Sequence, residues 1–265
     1  MSFMDQTLLS RRSATLLAAA WALSLAAWPS VCAAQQAPAS ALRISGPYVY
    51  ENLDLYLVHG RDQLAGRKLV PLAQALARKQ VVVRETGNVS QLTIENLSDQ
   101  EVYVQAGEIV KGGRQDRVLS IDLILPPKSG QVGVASFCVE RGRWQKRGTE
   151  AADHFASSEE QLAHKDLKMA NHRGEQAGVW ASVGRVQQKL ASNLGGDVRN
   201  EQSASSLQLT LENDRVQKGI EGYLRAFVPL PSAHPDALGF VFAIDGVLNS
   251  AELYGSPALF RELWP

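Results

Sequence analysis

The chain has little cysteine and no excess of either charge. Only 2 of its 265 residues are cysteines, and 27 lysines and arginines balance 27 aspartates and glutamates. A neutral chain lacks the basic surplus that is typical of nucleic-acid-binding proteins and the acidic surplus of disordered tails. With 45% hydrophobic residues, it has enough apolar material for a sizeable core. The composition therefore favours a folded globular domain without a nucleic-acid partner.

Long apolar runs are absent except near the N-terminus. Arg11 and Arg12 precede the apolar stretch 14–28, and the small residues of Cys32-Ala33-Ala34 follow it. A positive segment, an apolar segment and small residues, in that order, are typical of a secretory signal peptide. We expect cleavage near Ala34, with the general secretory route favoured over the twin-arginine route.

The domain organisation and location follow from this segment. We expect residues 1–34 to be the signal peptide, 35–46 a flexible tail and 47–265 a single domain. No later run approaches the roughly 18 apolar residues that a membrane span needs. The sequence thus predicts an extracytoplasmic protein, periplasmic or secreted, whose mature chain has no membrane span.

Removal of the signal peptide would leave Cys138 as the only cysteine of the mature chain. No disulfide can then form within the chain. Cys138 is either a small buried hydrophobic residue, the usual fate of a free cysteine, or a functional thiol. In the second case the nearby charges of Arg141 and Arg143 would favour the thiolate.

Apolar alternation and turn residues predict an α+β fold. The first half is rich in antiparallel strands, arranged as a sandwich or a partly open barrel. The third quarter is helical, and a β-hairpin with a two-residue turn at Asp245-Gly246 lies near the end. The predicted strands are 47–58 (one or two), 80–85, 92–96, 102–105, 117–125, 131–139, 237–244 and 247–254. The predicted helices are 70–79, one beginning at 157 and reaching 170, 176–193, 205–227 and a last one from 259.

Two charged stretches interrupt the β-rich half. The first is GEIVKGGRQDRV (107–118), in which two glycines precede a run of charged residues, and the second is SFCVERGRW (136–144). Adjacent glycines allow a close backbone approach to a ligand, and arginine forks suit carboxylate or phosphate groups. Neither stretch has the spacing of a phosphate-binding P-loop, and no serine lies in a G-x-S-x-G elbow.

Strand geometry predicts that the two stretches meet. If 117–125 and 131–139 pair as antiparallel strands around the intervening turn, Arg117 and Cys138 lie at the same end of the pair. Alternation places Ser136, Cys138 and Glu140 on one face of the second strand.

The same stretches carry a resemblance to a known family. The motif GEIVKGGRQDRVL, a following PP pair and SFCVERGRW resemble the ARG and rhodanese-phosphatase-superfamily-associated protein domain. Weaker matches extend the resemblance over nearly the whole mature chain. The family's name reflects association with ADP-ribosylglycohydrolase-like and rhodanese-phosphatase-like proteins, so the resemblance implies a phosphate-bearing or nucleotide-derived ligand. The matching positions are Gly107, Glu108, Gly112, Arg114, Gln115, Asp116, Arg117, Cys138, Val139, Glu140, Gly142, Arg143 and Trp144.

These residues define two hypotheses about function. In the first, the domain binds or processes a small anionic ligand at residues 107–117 and 136–144. The catalytic candidates are Glu108 or Glu140 as general base or acid, and Cys138 as a nucleophile or a wall of the pocket. The ligand-binding candidates are Arg114, Gln115, Asp116, Arg117, Arg143 and Trp144.

In the second hypothesis the chain is a non-catalytic extracytoplasmic binding or assembly module, whose arginines and carboxylates pair with one another as a structural network. No metal site is expected, because His154, His164 and His172 fall on a predicted solvated helical stretch. The sequence indicates no particular cofactor, and whether the protein is an enzyme stays open.

Overall fold

The computed structural model describes residues 42–162 and 164–264. The predicted signal peptide, and the predicted tail up to residue 41, lie outside the described residues. The strands are β1 Arg43–Tyr50, β2 Leu53–His59, β3 Leu69–Pro71, β4 Val81–Glu85, β5 Gln91–Asn96, β6 Glu101–Val104, β7 Glu108–Gly112, β8 Arg117–Leu119, β9 Leu123–Leu125, β10 Gly130–Cys138, β11 His154–Gln161, β12 Ala237–Ile244 and β13 Val247–Leu253. The helices are α1 Leu72–Ala77, α2 Lys165–Arg173, α3 Gln176–Leu194, α4 Leu207–Leu211, α5 Asp214–Phe227, α6 Leu230–Ala233 and α7 Pro257–Leu263.

Six strands close into an antiparallel barrel in the order β10-β5-β4-β11-β7-β8. Inward-facing side chains alternate along each strand, as in β10, where Val134, Ser136 and Cys138 are buried and the residues between them are not. Buried apolar residues from all six strands form one core cluster with residues of α1, β3, β6 and β9. A closed barrel has no free sheet edges, and its interior positions at the strand ends are screened from water. The barrel therefore supplies the buried setting in which the charged stretches lie.

Two smaller sheets flank the barrel in the fold. The first has the order β1-β2-β12-β13 and packs with α5 and α7 around Leu57, Phe227 and Phe260. The second is the three-stranded sheet β3-β6-β9. A separate cluster joins α2, α3 and α4 to the outside of the barrel through Ile109 and Val118. Within the described residues, every helix is too short or too polar to cross a bilayer.

The predicted α+β class is confirmed: the first half is rich in antiparallel strands, and β12 and β13 form the expected hairpin. Of the two alternatives for the first half, the barrel is present, and it is closed. The first strand begins at Arg43, so residues 43–46 belong to the sheet and not to a tail.

The single strand predicted over 117–125 is wrong. The chain leaves the barrel after β8, and β9 pairs with β6 in the three-stranded sheet. Asp122 fixes the chain where it leaves the barrel, because its Oδ1 accepts hydrogen bonds from the Ala106 amide at 2.9 Å and the Tyr103 hydroxyl at 3.1 Å.

The helix predicted to begin at Ser157 is also wrong, since 154–161 is the barrel strand β11. Ser157 and Ser158 accept hydrogen bonds from the amides of Glu159 and Glu160, two residues on, at 3.0 Å each. These bonds support a bulge in the pairing of β11 with β7, where Glu159 has a φ of 63°. A serine pair before two glutamates resembles a helix start in sequence, but here it shapes a strand.

The helix predicted over 205–227 is divided into α4 and α5. The Asn213 side chain accepts a hydrogen bond from the Arg215 amide at 3.0 Å and so caps a new helix. Ser206 caps α4 in the same way, accepting from Leu209 at 3.1 Å.

Candidate functional site

The two charged stretches meet at one end of the barrel, as the sequence predicts. Arg117 at the start of β8 lies directly opposite Cys138 at the end of β10. Both residues are fully buried, with 0% exposure. Ser136 and Cys138 are buried on one face of β10, as the predicted alternation requires; the strand ends there, and both Val139 and Glu140 beyond it are buried.

The Arg117 guanidinium is only partly satisfied. Its Nη1 donates to Gln115 Oε1 at 3.4 Å and to the Cys138 thiol. Its Nε and Nη2 have no hydrogen-bond acceptor in the part of the chain that the structure describes. Burying an arginine without partners for its donors costs free energy. Arg117 therefore has two buried guanidinium nitrogens whose N–H groups lack acceptors within this part of the chain.

The ion-pair partner of Arg117 is Glu85, which sequence reasoning missed. Glu85 Oε2 lies 3.5 Å from Arg117 Nη2, an ion pair that lacks hydrogen-bond geometry. The Glu85 carboxylate is itself held by backbone amides, those of Thr86 and Gly87 on one oxygen and that of Arg114 on the other. Glu85 ends strand β4, and only barrel closure brings it to Arg117.

Trp144 covers Arg117 from the solvent side. Its ring centroid lies 5.8 Å from the Arg117 guanidinium carbon and 5.3 Å from that of Arg114. These are cation–π distances. Trp144 is 45% exposed, whereas Arg117 beneath it is inaccessible.

Beside Arg117 lies a network of buried ion pairs, in which Glu140 Oε1 and Glu150 Oε2 have no hydrogen-bond partner among the described residues. Asp116 Oδ2 and Oδ1 accept from Arg147 at 2.8 Å and 3.2 Å, and Oδ1 lies 3.3 Å from Arg143 Nη2. Glu140 Oε2 accepts from Arg143 Nε at 2.7 Å. The side chains of Asp116 and Glu140 have 0% exposure.

Both arginines of this network use their full donor capacity. Arg143 donates from Nε to Glu140, and its terminal nitrogens reach Asp116 and the carbonyl oxygens of Gly112, Gly113 and Gln145. Arg147 donates to Asp116, Glu150 and Ser206. Burial lowers the pKa of Arg147, but Asp116 and Glu150 outweigh that effect and raise it overall. A guanidinium has five N–H donors, so neither fork has donors left for a ligand.

Arg147 is a second residue that sequence reasoning missed. It lies four residues after Arg143, just outside the motif, and it is 7% exposed. Its proximity in sequence to Arg143 was a usable signal. Its partner Ser206 was not predictable, since Ser206 lies 90 positions from Asp116, to whose Oδ2 it donates at 3.2 Å.

Cys138 is buried, in line with the first of the two interpretations of this residue. Burial raises the pKa of the thiol to about 11, although the charge of Arg117 opposes the change. The arginines expected to favour a thiolate are engaged elsewhere. Arg141 lies over the Trp180 ring, 5.7 Å from its centroid. Arg143 belongs to the ion-pair network with Asp116 and Glu140. At neutral pH the thiol is protonated.

Glu108 lies apart from the other candidate residues. It is 6% exposed, and its Oε2 accepts from the Gln105 amide at 2.7 Å. It lines a cavity of about 370 Å³ between α1, β7, β11 and α7, where Glu159, Glu160 and Glu262 are also found. Burial raises the pKa of Glu108 to about 7, and the nearby charge of Asp122 adds to the effect. Within the described residues, Glu108 has no hydrogen bond or ion pair with the Arg117 cluster.

The histidines lie as follows. His154 is exposed on strand β11 and His172 is exposed on α2, while the partly buried His164 precedes α2. In the described residues no group of three or more histidine, cysteine, aspartate or glutamate side chains is arranged to hold a metal ion.

The fold and the site together define an α+β domain built on a closed six-stranded barrel, with arginines and carboxylates buried at one end of it. The chain belongs to the family of the ARG and Rhodanese-Phosphatase-superfamily-associated Protein domain, whose model matches residues 41–265. The resemblance given by the two charged motifs is thus confirmed. No curated protein and no solved structure matches the chain.

Proposed function

We propose that this domain binds a small anionic, phosphate-bearing ligand at Arg117. The observation that carries the proposal is the incomplete pairing of a fully buried guanidinium: two of its nitrogens lack acceptors and its carboxylate neighbour is 3.5 Å away. A tetrahedral oxyanion has several acceptor oxygens and would satisfy these donors as a forked, charge-assisted pair. The family association with phosphatase-like proteins supports the same ligand class.

Entry of the ligand requires movement of Trp144. The indole lies over Arg114 and Arg117 and is 45% exposed. Its displacement would open a path to Arg117, with Arg114 at the rim as a second cation. Binding is favoured over catalysis at this position, because a thiol with a pKa of about 11 is a poor nucleophile at neutral pH.

Thermal unfolding with inorganic phosphate tests the proposal. Potassium chloride at matched ionic strength is the reference. Phosphate should raise the melting temperature of the natural chain and quench or shift Trp144 fluorescence, and both effects should vanish in Arg117→Met. Arg84→Met is the matched control, because Arg84 is a half-exposed barrel arginine paired only with Glu95. That variant should respond like the natural chain.

A second variant separates binding from stability. Glu85→Gln removes the negative charge that competes with an anion for Arg117, so phosphate should bind Glu85→Gln more tightly than the natural chain. If neither the natural chain nor Glu85→Gln responds to phosphate, sulfate or a nucleoside monophosphate, the anion site is refuted.

A second candidate function is the non-catalytic module with a structural charge network. The observation that favours it is the complete use of the donors of Arg143 and Arg147 by internal acceptors. In that case Arg117 also has a purely structural role, and Arg117→Met lowers stability without changing any response to anions.

We further propose that the domain acts outside the cytoplasm. The support is the order of charged, apolar and small residues over positions 11–34. Expression of the full chain, cell fractionation and N-terminal sequencing test this. A mature chain that begins near Gln35 in the extracytoplasmic fraction is expected, and an intact N-terminus in the cytoplasm would refute it.

A further inference from the structure

Three polar side chains form a connected chain at one end of the four-stranded sheet. Ser45 lies on β1, His59 ends β2 on the adjacent strand, and Asp236 lies just before β12. Ser45 Oγ is 2.7 Å from His59 Nε2, and His59 Nδ1 is 2.9 Å from Asp236 Oδ1. The two ring nitrogens thus contact a hydroxyl on one side and a carboxylate on the other.

The order of these contacts assigns a role to each atom. The Asp236 carboxylate can only accept a hydrogen bond, so His59 Nδ1 carries a proton and donates a hydrogen bond to Asp236. In a neutral ring Nε2 then has no proton, and it accepts a hydrogen bond from the Ser45 hydroxyl. The hydrogen bond from His59 holds the pKa of Asp236 below its ordinary value, so the carboxylate is charged at neutral pH. A hydroxyl bonded to a base, with the base oriented by a carboxylate, is the arrangement that activates serine nucleophiles on unrelated folds.

The exposure of the three residues suits this role. His59 is 1% exposed and therefore fixed in position. Ser45 is half-buried, and the Asp236 side chain is 55% exposed and also pairs with Arg43 at 2.8 Å. A histidine with a purely structural role could pair with any interior polar group in addition to Asp236. The second partner of His59 is instead the hydroxyl of Ser45, a half-buried residue near the surface.

A further hydroxyl lies beside the serine. Tyr48 Oη is 3.2 Å from Ser45 Oγ and 2.8 Å from His234 Nε2. It follows a break in the β1–β2 pairing at Gly46-Pro47, immediately after Ser45. A phenol at this distance is within reach of an acyl oxygen attached to Ser45 and could donate to it as negative charge develops.

We propose that Ser45, His59 and Asp236 form an acyl-transfer site that hydrolyses small carboxylic esters. Ser45 Oγ forms a bond to the ester carbonyl carbon while its proton passes to His59 Nε2. The bond from that carbon to the alcohol oxygen then breaks, and the alcohol leaves with the proton from His59. Water attacks the acyl-serine in the same way, its proton passes through His59 to Ser45 Oγ, and the acid is released. No oxidant, reductant or metal is needed.

This site is separate from the proposed anion site. It belongs to the sheet β1-β2-β12-β13, whereas Arg117 belongs to the barrel, so it stands whether or not Arg117 binds phosphate. No sequence motif identifies this site. Ser45 is followed by glycine and proline within a strand, whereas a nucleophile elbow needs a turn from a strand into a helix. Asp236 is also 177 positions from His59.

The test uses the full chain, a fluorophosphonate probe and p-nitrophenyl acetate at neutral pH. Peptide mapping should find one phosphonyl adduct, on Ser45, and ester hydrolysis should fall to background in Ser45→Ala. Asp236→Asn should slow both reactions on the order of 10⁴-fold, because the histidine tautomer is no longer fixed. Ser250→Ala is the matched control, a half-buried serine on β13 of the same sheet, and it should react like the natural chain.

The outcomes separate catalysis from a structural role. Asp236 is more than half exposed, so Asp236→Asn should fold even if Ser45→Ala does not, and thermal melting of each variant checks this. Absence of an adduct on Ser45 in the folded natural chain would overturn the proposal. So would labelling of Ser45 that proceeds at an unchanged rate in Asp236→Asn.

Discussion

Asp116 is the residue on which the buried charge network depends. It accepts from Arg147 through both oxygens and lies 3.3 Å from Arg143. Asp116→Ala would leave two buried guanidinium groups without their shared counter-ion, so we expect a loss of about 3–5 kcal/mol in the free energy of unfolding. Urea denaturation measures it. Asp153→Ala is the control, since Asp153 is 87% exposed and pairs only with its neighbour His154. A loss below about 1 kcal/mol for Asp116→Ala would contradict the importance of the network.

Cys138 should be unreactive in the folded protein. It has 0% exposure, and burial raises its pKa to about 11, so both access and thiolate population are low at pH 8. Iodoacetamide should label its peptide only in denaturant, as followed by mass spectrometry. The peptide must be resolved because Cys32 is also present in the full chain. Rapid labelling of Cys138 in the folded state would revive the functional-thiol interpretation.

Glu108 should make stability depend on pH. Its folded-state pKa is about 7 because of burial, against roughly 4.3 in an unfolded chain. Between these values the folded state binds more protons than the unfolded state, so the Glu108 contribution to stability falls as pH rises, by roughly 4 kcal/mol in all.

The variant Glu108→Gln removes this contribution while it keeps an oxygen for the Gln105 amide. Urea unfolding at pH 5 and pH 8 should show a smaller difference in free energy for Glu108→Gln than for the natural chain. Asp99→Asn, at a side chain that is 89% exposed, should keep the natural difference. An unchanged pH dependence in Glu108→Gln would mean that Glu108 is charged in the fold.

Among the structural elements, β10 was predictable and β11 was not. The alternation of Val134, Ser136 and Cys138 contains enough information to place one face inward. The pairing of Arg117 with Cys138 was also predicted, because the two residues are about equally far from the intervening turn. The prediction is correct although β9, between them, pairs with another sheet. In β11 the serine and glutamate pattern of a helix start was overridden by pairing with β7. That pairing depends on contacts from distant parts of the chain, which local patterns do not contain.

The candidate site shows the same division. Its glycines, arginines and cysteine were identified from two short motifs, but Glu85, Arg147 and Ser206 were not. Glu85 and Ser206 come from elements far away in sequence. Closure of the barrel and the packing of α4 decide which carboxylate pairs with which arginine. The density of charged residues in the sequence therefore indicated where the site lies, but not which side chains form ion pairs in it.

Two helix caps of similar chemistry should differ in their effect on stability. Asn213 caps α5 at a partly buried position, and Asn213→Ala should cost about 1 kcal/mol. Ser206 caps α4 and also donates to buried Asp116, so Ser206→Ala should cost about 2–4 kcal/mol, because a buried acceptor loses a donor as well. Chemical denaturation of both variants makes the comparison. Equal losses would show that α4 is not coupled to the charge network.

For the whole molecule, the strands of the barrel pair over unequal lengths, and both the β4–β11 and the β7–β8 pairings have two residue pairs. β4 pairs with β5 from Val81 to Glu85, but with β11 only at Val83 and Arg84. We expect amide hydrogen exchange to be slower between β4 and β5 than between β4 and β11, because fewer backbone bonds need to break between β4 and β11. Exchange measured by mass spectrometry on peptides covering 81–96 and 151–161 tests this. Equal protection of the two peptides would contradict it.

The four-stranded sheet joins the beginning of the described chain to its end. β2 pairs with β12 along most of its length, so Leu55 lies opposite Phe242 and Leu57 opposite Phe240. During synthesis, β1 and β2 are made first and have no partner on that edge until some 180 further residues have been added. The sheet, and with it the contact between His59 and Asp236, can be completed only after β12 has been synthesised. Non-local pairing of this kind slows folding, so a nascent chain of this protein should lack its complete four-stranded sheet, and its serine–histidine–aspartate contact, until β12 and β13 have emerged.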